Sequence, residues 1–371
     1  IKDNFYIDYN YAILFIILVL IYAELKYKNY EARYNLLVGL LAGVTILLKQ
    51  STGIIISTIT VLYLLLEKRD KQTLKAAVYR TLGVLIPCVI FVIYLFLTNS
   101  MSSFIDYCIL GIGTFKNSIS YLKLLRGGDL IAFLGMIAPI TIAILFVVNV
   151  INIKRKVIQA KENNLILFAF SLAQFTVVYP IADDIHFVIS AFPAILVALY
   201  YICKEIQEIK NIKVSIFIEH FMNIITISFI GILILQAIND IYLYTQMDKS
   251  VLNHFSNIPI SSILQDRIIE VDAYIKDEKR DVYILDSEAA VYMIPLDKYN
   301  KDFDMFLKGN LGAASEEGQI EKIKNMKNAV ILIKNDKMSL NWQTPTKVIE
   351  YVKNNLEKIG MISFFDIYVT N

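Results

Sequence analysis

Continuously apolar runs, separated by short polar connections, fill the first two thirds of the chain. Eight of them stand at Tyr11–Leu25, Asn35–Leu48, Gly53–Leu66, Leu82–Leu97, Leu130–Asn152, Leu165–Val178, Phe187–Cys203 and Val214–Tyr244. Most lie near the ~20 residues that carry a helix across a ~30 Å hydrocarbon core. They do not alternate between apolar and polar positions, so the pattern predicts helices and not barrel strands. A lone segment in lipid must satisfy its own backbone hydrogen bonds, which a helix does and a single strand cannot.

The polar connections differ in charge. Fifteen Lys and Arg fall in the stretches 26–33, 68–80, 154–161 and 204–213, against five (Lys2, Lys49, Lys116, Lys123 and Arg126) in the alternate set. Basic residues are retained on the cytoplasmic side. The eight runs therefore read as eight crossings, with residues 1–10 outside and the tail returned to that same side.

From about Thr245 the pattern changes. Asp281–Leu285 and Ala329–Ile333 have the length and β-branched composition of strands, Lys347–Lys358 places Val348, Ile349, Val352 and Leu356 on one helical face, and Phe364–Val369 reads as a last strand. The expected fold class is an α-helical polytopic membrane protein with a small C-terminal α/β extramembrane domain, divided as 1–245 and 246–371. The tail shows no Gly-rich phosphate loop, metal cluster or triad spacing. The long connection Thr98–Asp129, with Tyr107, Leu110 and Phe115 among polar residues and glycines, is expected to be an interfacial or re-entrant segment or to pack on the bundle.

Composition agrees with this pattern. Of 371 residues 56% are hydrophobic and 19% charged, with mean hydropathy +0.55, whereas a soluble domain is about 45–50% apolar and about 25% charged. This composition argues against a single water-soluble globule and excludes a disordered chain. A net charge of +2 gives no reason to expect nucleic acid, and Cys88, Cys108 and Cys203 form neither a disulfide framework nor a zinc site. The chain begins at Ile1 with no leader pattern, so a fragment lacking upstream residues is expected.

Candidate chemistry gathers at one set of helix ends. Asp8, Lys49, Asp106, Asp183, Asp184 and His186 all fall at the outer boundary of the expected topology. Ionisable groups near the membrane tend to be paired or functional. Asp8, just before the first run, suits a helix cap, a hydrogen-bond acceptor or a base. Lys49, in a very tight connection, suits a lipid phosphate or an interface anchor. Tyr179-Pro180-Ile-Ala-Asp183-Asp184-Ile-His186 makes a rigid corner with two carboxylates and an imidazole, which suits a sugar hydroxyl, a cation, Lys49 or a solvated turn.

Taken together, Asp8-Tyr-Asn10, the small-residue helix Gly39–Lys49 and the Tyr-Pro…Asp-x-His corner followed by Phe187-Val-Ile-Ser-Ala-Phe-Pro193 resemble the membrane-embedded glycosyltransferases of the GT-C type. The nearest likeness is to the bacterial branch of protein mannosyltransferases and aminoarabinose transferases. The resemblance implies transfer of a sugar from a polyprenyl-phosphate donor to a lipid, glycan or protein acceptor on the outer face, with or without a divalent cation such as magnesium or manganese. It implies a catalytic role for Asp8 and substrate contacts for Lys49, Asp183, Asp184 and His186. The family's first helix and its principal catalytic carboxylate would precede Asp8 and are not in this chain. A transporter or flippase of lipid-linked solutes is the alternative, and a noncatalytic scaffold a third. The eight runs lack the internal repeat and paired broken helices that a transporter would favour.

Overall fold

A computed structural model describes residues 9–67, 70–111, 122, 130–155, 159–179, 184–207, 212–246, 249–256, 258, 260–300, 302–335 and 344–370. Each of the eight apolar runs is a helix: α1 Tyr9–Tyr27, α2 Ala32–Leu48, α3 Gln50–Glu67, α4 Lys71–Leu97, α5 Leu130–Arg155, α6 Gln159–Phe175, α7 Asp184–Gln207 and α8 Ile212–Gln246. Among the described residues, α1 and α4 are long and apolar enough to cross a membrane. The chain divides into two compact units, Ile1–Ser100 with Ser118–Phe221, and Met101–Asn117 with Met222–Asn371. That division falls inside α8 instead of at 245/246, and it groups part of the long connection with the tail.

In the first unit, α4 starts eleven residues before the apolar run begins. Asp70 caps it by accepting from Thr73 N at 2.8 Å, which carries Lys71–Arg80 into the helix. Glycine brings α2 and α4 into backbone contact. A Cβ on Gly39 would lie 2.1 Å from Arg80 O, and one on Gly83 would lie 2.2 Å from Leu36 O. Small residues at the seam are how apolar helices approach closely when water does not drive them together. α4 shows the same economy, burying Ala76, Ala77, Gly83 and Pro87 while exposing Val89, Ile90, Ile93, Phe96 and Leu97. Large side chains of α1, α3 and α6, among them Ile13, Ile17, Ile56, Tyr63 and Phe170, make the interior.

Hydrogen bonds near the helix ends show the relative directions of α1, α2, α6 and α7 and place the end of α5. The start of α1, the α2–α3 link, the residues after α6 and the start of α7 meet at one end, through Asn10, Lys49, Val177 and His186. At the other end, α1 meets α2 through Glu24 and Tyr34, while Asn149 of α5 and Tyr201 of α7 meet Asn164 of α6.

In the second unit a four-stranded sheet has the order β1-β2-β4-β3, with β1 Asp281–Ile284, β2 Ala329–Lys334, β3 Glu357–Ile362 and β4 Phe365–Val369. β1 and β2 are parallel, and the other pairs are antiparallel. Helices cover both faces, as the alternation along β2 requires. Val330 and Leu332 pack with α9 (Ser262–Asp277) and α10 (Ala289–Met293). Ile331 and Ile333 pack with α11 (Ser315–Asn325) and α12 (Thr346–Asn355). The helix expected to run to Lys358 stops at Asn355. Leu356 turns extended, and Ser363 at φ 53° reverses the chain so that β3 pairs with β4.

The connection between α4 and α5 is not merely a surface segment. Its helical part, Met101–Leu110, belongs to the second unit, where the Asp106 carboxylate accepts from Ala313 N at 3.0 Å. Gly312, at φ 75°, makes room for it: a Cβ there would meet Asp106 Oδ2 at 2.4 Å. Tyr107 and Lys322 meet 3.4 Å apart. Phe115 lies outside the described residues.

Candidate functional site

Lys49 is the single residue between α2 and α3. The reversal is this tight because Gly53 lies against α2, where a Cβ would come within 2.3 Å of Ile46 N. The Lys49 ammonium donates to Asn10 Oδ1 at 3.5 Å and to Val177 O at 3.0 Å, and it lies 5.9 Å from the centroid of the Tyr9 ring. Asn10, fully buried in the first turn of α1, has its Nδ2 3.3 Å from His186 Nε2.

A lysine ammonium only donates, so the Asn10 oxygen faces Lys49 and the Asn10 nitrogen faces His186.

Lys49 and His186 of the expected site are thus brought together. Asp8 and Asp183 lie outside the described residues, and Asp184 is placed only as the first residue of α7. Asp106 stands elsewhere in the fold, bonded to the tail. Asn10 and the Val177 carbonyl were not foreseen. The signal for Asn10 was a lone amide opening an apolar run, whereas a backbone carbonyl leaves no trace in a sequence. The described groups here, an ammonium, an amide and an imidazole, include no carboxylate. They are not the donor set of magnesium or manganese.

A groove of about 230 Å³ lies between α1, α6 and α7, lined by Leu18, Ile21, Leu25, Leu167, Leu196 and Tyr200 among others. On α1 it begins eight residues past Asn10, or ~12 Å at 1.5 Å per residue. Its lining is almost wholly apolar.

Further along α1 a second polar cluster was also missed. Glu24 and Arg80, both without exposed side-chain surface, pair at 2.7 Å. Arg80 also donates to Asn35 Oδ1 at 2.7 Å, Thr60 O at 3.0 Å and Tyr63 OH at 3.0 Å. Tyr34 and Tyr63 donate to Glu24. Arg80 was expected among the free loop charges, and the earlier start of α4 places it inside the bundle instead. The cluster stands fourteen residues, or ~21 Å, along α1 from Asn10, too far to share a small substrate group.

In the tail, Lys334 at the end of β2 pairs with Asp286 at 3.2 Å and with Glu288 at 3.1 Å. Burial pushes the Asp286 carboxyl up, while the Glu288 backbone N–H and the Lys334 ammonium pull it back. These groups pair with one another at the end of β2, an inner strand of the sheet.

Compared with protein-family models, with curated proteins and with solved structures, the chain finds no match.

Proposed function

We propose that the chain is a multi-pass membrane glycosyltransferase of the GT-C type, moving a sugar from a polyprenyl-phosphate donor to a lipid, glycan or protein acceptor on the outer face. The observation that carries this reading is the meeting of Lys49, Asn10 and His186 at one end of the helices. The large apolar side chains facing outward on α4 support lipid as the solvent. The apolar groove beside α1 suits an isoprenoid chain whose phosphate lies at the polar end.

A sugar phosphate is already activated. The bond from the anomeric carbon to the phosphate oxygen breaks, with the electron pair leaving on phosphate, and the acceptor oxygen takes its place. Lys49 stabilises the charge that develops on phosphate. Asp8, two residues before Asn10, receives the acceptor proton, and Asp183, Asp184 and His186 contact sugar or acceptor.

The test is transfer in membranes carrying the full-length protein, supplied with a radiolabelled polyprenyl-phosphate sugar. The expected result is label in a membrane acceptor and release of polyprenyl phosphate. Movement of the intact donor across vesicles without product would replace this reading with a flippase.

A further inference from the structure

We infer that the tail domain rests on the membrane through an apolar foot formed by Val251, Ile258 and Ile263, whose partner is the headgroup–acyl boundary of the bilayer. The inference rests on reading α8 as a membrane helix. α8 has 35 residues, ~52 Å at 1.5 Å per residue, and exposes Phe221, Ile224, Ile227, Ile234 and Ile238 along its length. It closes on Tyr242 and Tyr244, both exposed, the side chains that favour a membrane–water boundary.

The chain does not then become uniformly polar. Val251, Ile258 and Ile263 are 70%, 53% and 65% exposed. Two hydrogen bonds gather their backbone: Ser250 N donates to Ile258 O at 3.1 Å, and Val251 N donates to Gln265 Oε1 at 2.9 Å. The neighbouring Leu252, Phe255 and Leu264 turn inward to the domain core, so the outward aliphatic side chains are not spare core residues. Five residues beyond Gln246 span at most ~18 Å, which keeps Val251 close to the boundary that the tyrosines mark. Lys249, exposed beside the foot, suits lipid phosphate. Three aliphatic side chains fall far short of the ~800 Å² per partner of a stable protein interface, whereas shallow insertion in a bilayer needs no more.

Single nitroxide labels at Val251, Ile258 and Ile263, in a background with its cysteines replaced by serine, test this in lipid nanodiscs. Ile227 in α8 and Lys353 on α12 serve as references. Collisions with oxygen, which enters lipid, are compared with those of a water-soluble nickel complex. The foot labels are expected to shift from the Lys353 ratio toward that of Ile227. Foot labels matching Lys353 while Ile227 reads as lipid would overturn the foot and leave the membrane helix standing. Foot labels shielded from both reagents would also overturn it, in favour of a protein partner. An aqueous reading at Ile227 would remove the membrane helix and the foot together.

Discussion

Glu24→Leu alone or Arg80→Met alone is expected to destabilise the first unit by about 3–5 kcal/mol, because each leaves the other charge buried without its partner. The pair is fully enclosed at 2.7 Å. Its hydrogen bonds tie α1, α2, α3 and α4 together through Tyr34, Asn35, Thr60 and Tyr63. The double variant Glu24→Leu/Arg80→Met removes both charges and exchanges them for apolar groups of similar size. It should lose far less than the sum of the single changes, since desolvating an ion pair offsets much of its attraction. Unfolding of the purified variants in micelles, read as a double-mutant cycle, measures the difference. Additive losses would mean that Glu24 and Arg80 are not coupled.

Lys49→Ala should behave in the opposite way, leaving stability nearly unchanged and lowering transfer about 10²–10³-fold, the usual cost of one donor aimed at a developing oxyanion. Lys49 is a linking residue at a helix end, partly exposed, so its loss opens no buried cavity. Its ammonium is aimed by Asn10 and Val177. Asn10→Leu removes that aim and the hydrogen bond to His186 without removing either reactive group. It should therefore cost less than Lys49→Ala, about 1.5–3 kcal/mol, as for one hydrogen bond to a charged group. Affinity for a short-chain polyprenyl phosphate, measured beside the transfer rate, identifies the group contacted. Unchanged affinity in Lys49→Ala would take that lysine out of the site.

How much of this was legible beforehand follows from how local each signal was. The eight helices were, because continuous apolar runs commit the backbone whatever packs around them. The start of α4 was not. Lys71–Arg80 reads as a charged loop until Asp70 is seen capping it. In the tail, β1, β2 and β4 announced themselves by β-branched residues, whereas Glu357-Lys-Ile-Gly-Met-Ile362 is a strand only because β4 lies beside it. α9 is half apolar and α11 mostly polar, and each buries its few core side chains against the sheet.

The site divides in the same way. Lys49 and His186 stood out as ionisable residues at helix ends, and both reach Asn10 in the packed bundle. Asn10 is an ordinary amide until its two neighbours give its oxygen and nitrogen separate tasks. Glu24 and Arg80 are 56 residues apart, and Asp106 and Ala313 are 207 apart. Such pairs are fixed by which helices and loops touch, which no window along the chain contains. The Asp106 contact bears on topology as well, for it ties the α4–α5 connection to the tail within one unit. In the proposed multi-pass topology, two segments so joined would occupy one aqueous compartment.

The most direct test of the account is therefore sidedness. Single cysteines at Tyr179, Tyr27 and Lys353, again without the native cysteines, are challenged with a membrane-impermeant maleimide in intact cells and in inverted vesicles. The site end of the helices and the tail should label together, Tyr179 with Lys353 from outside, and Tyr27 only from the cytoplasmic face. Tyr179 and Lys353 labelling from opposite faces would separate the polar cluster from the domain that the proposed topology assigns to its compartment, and would contradict the account.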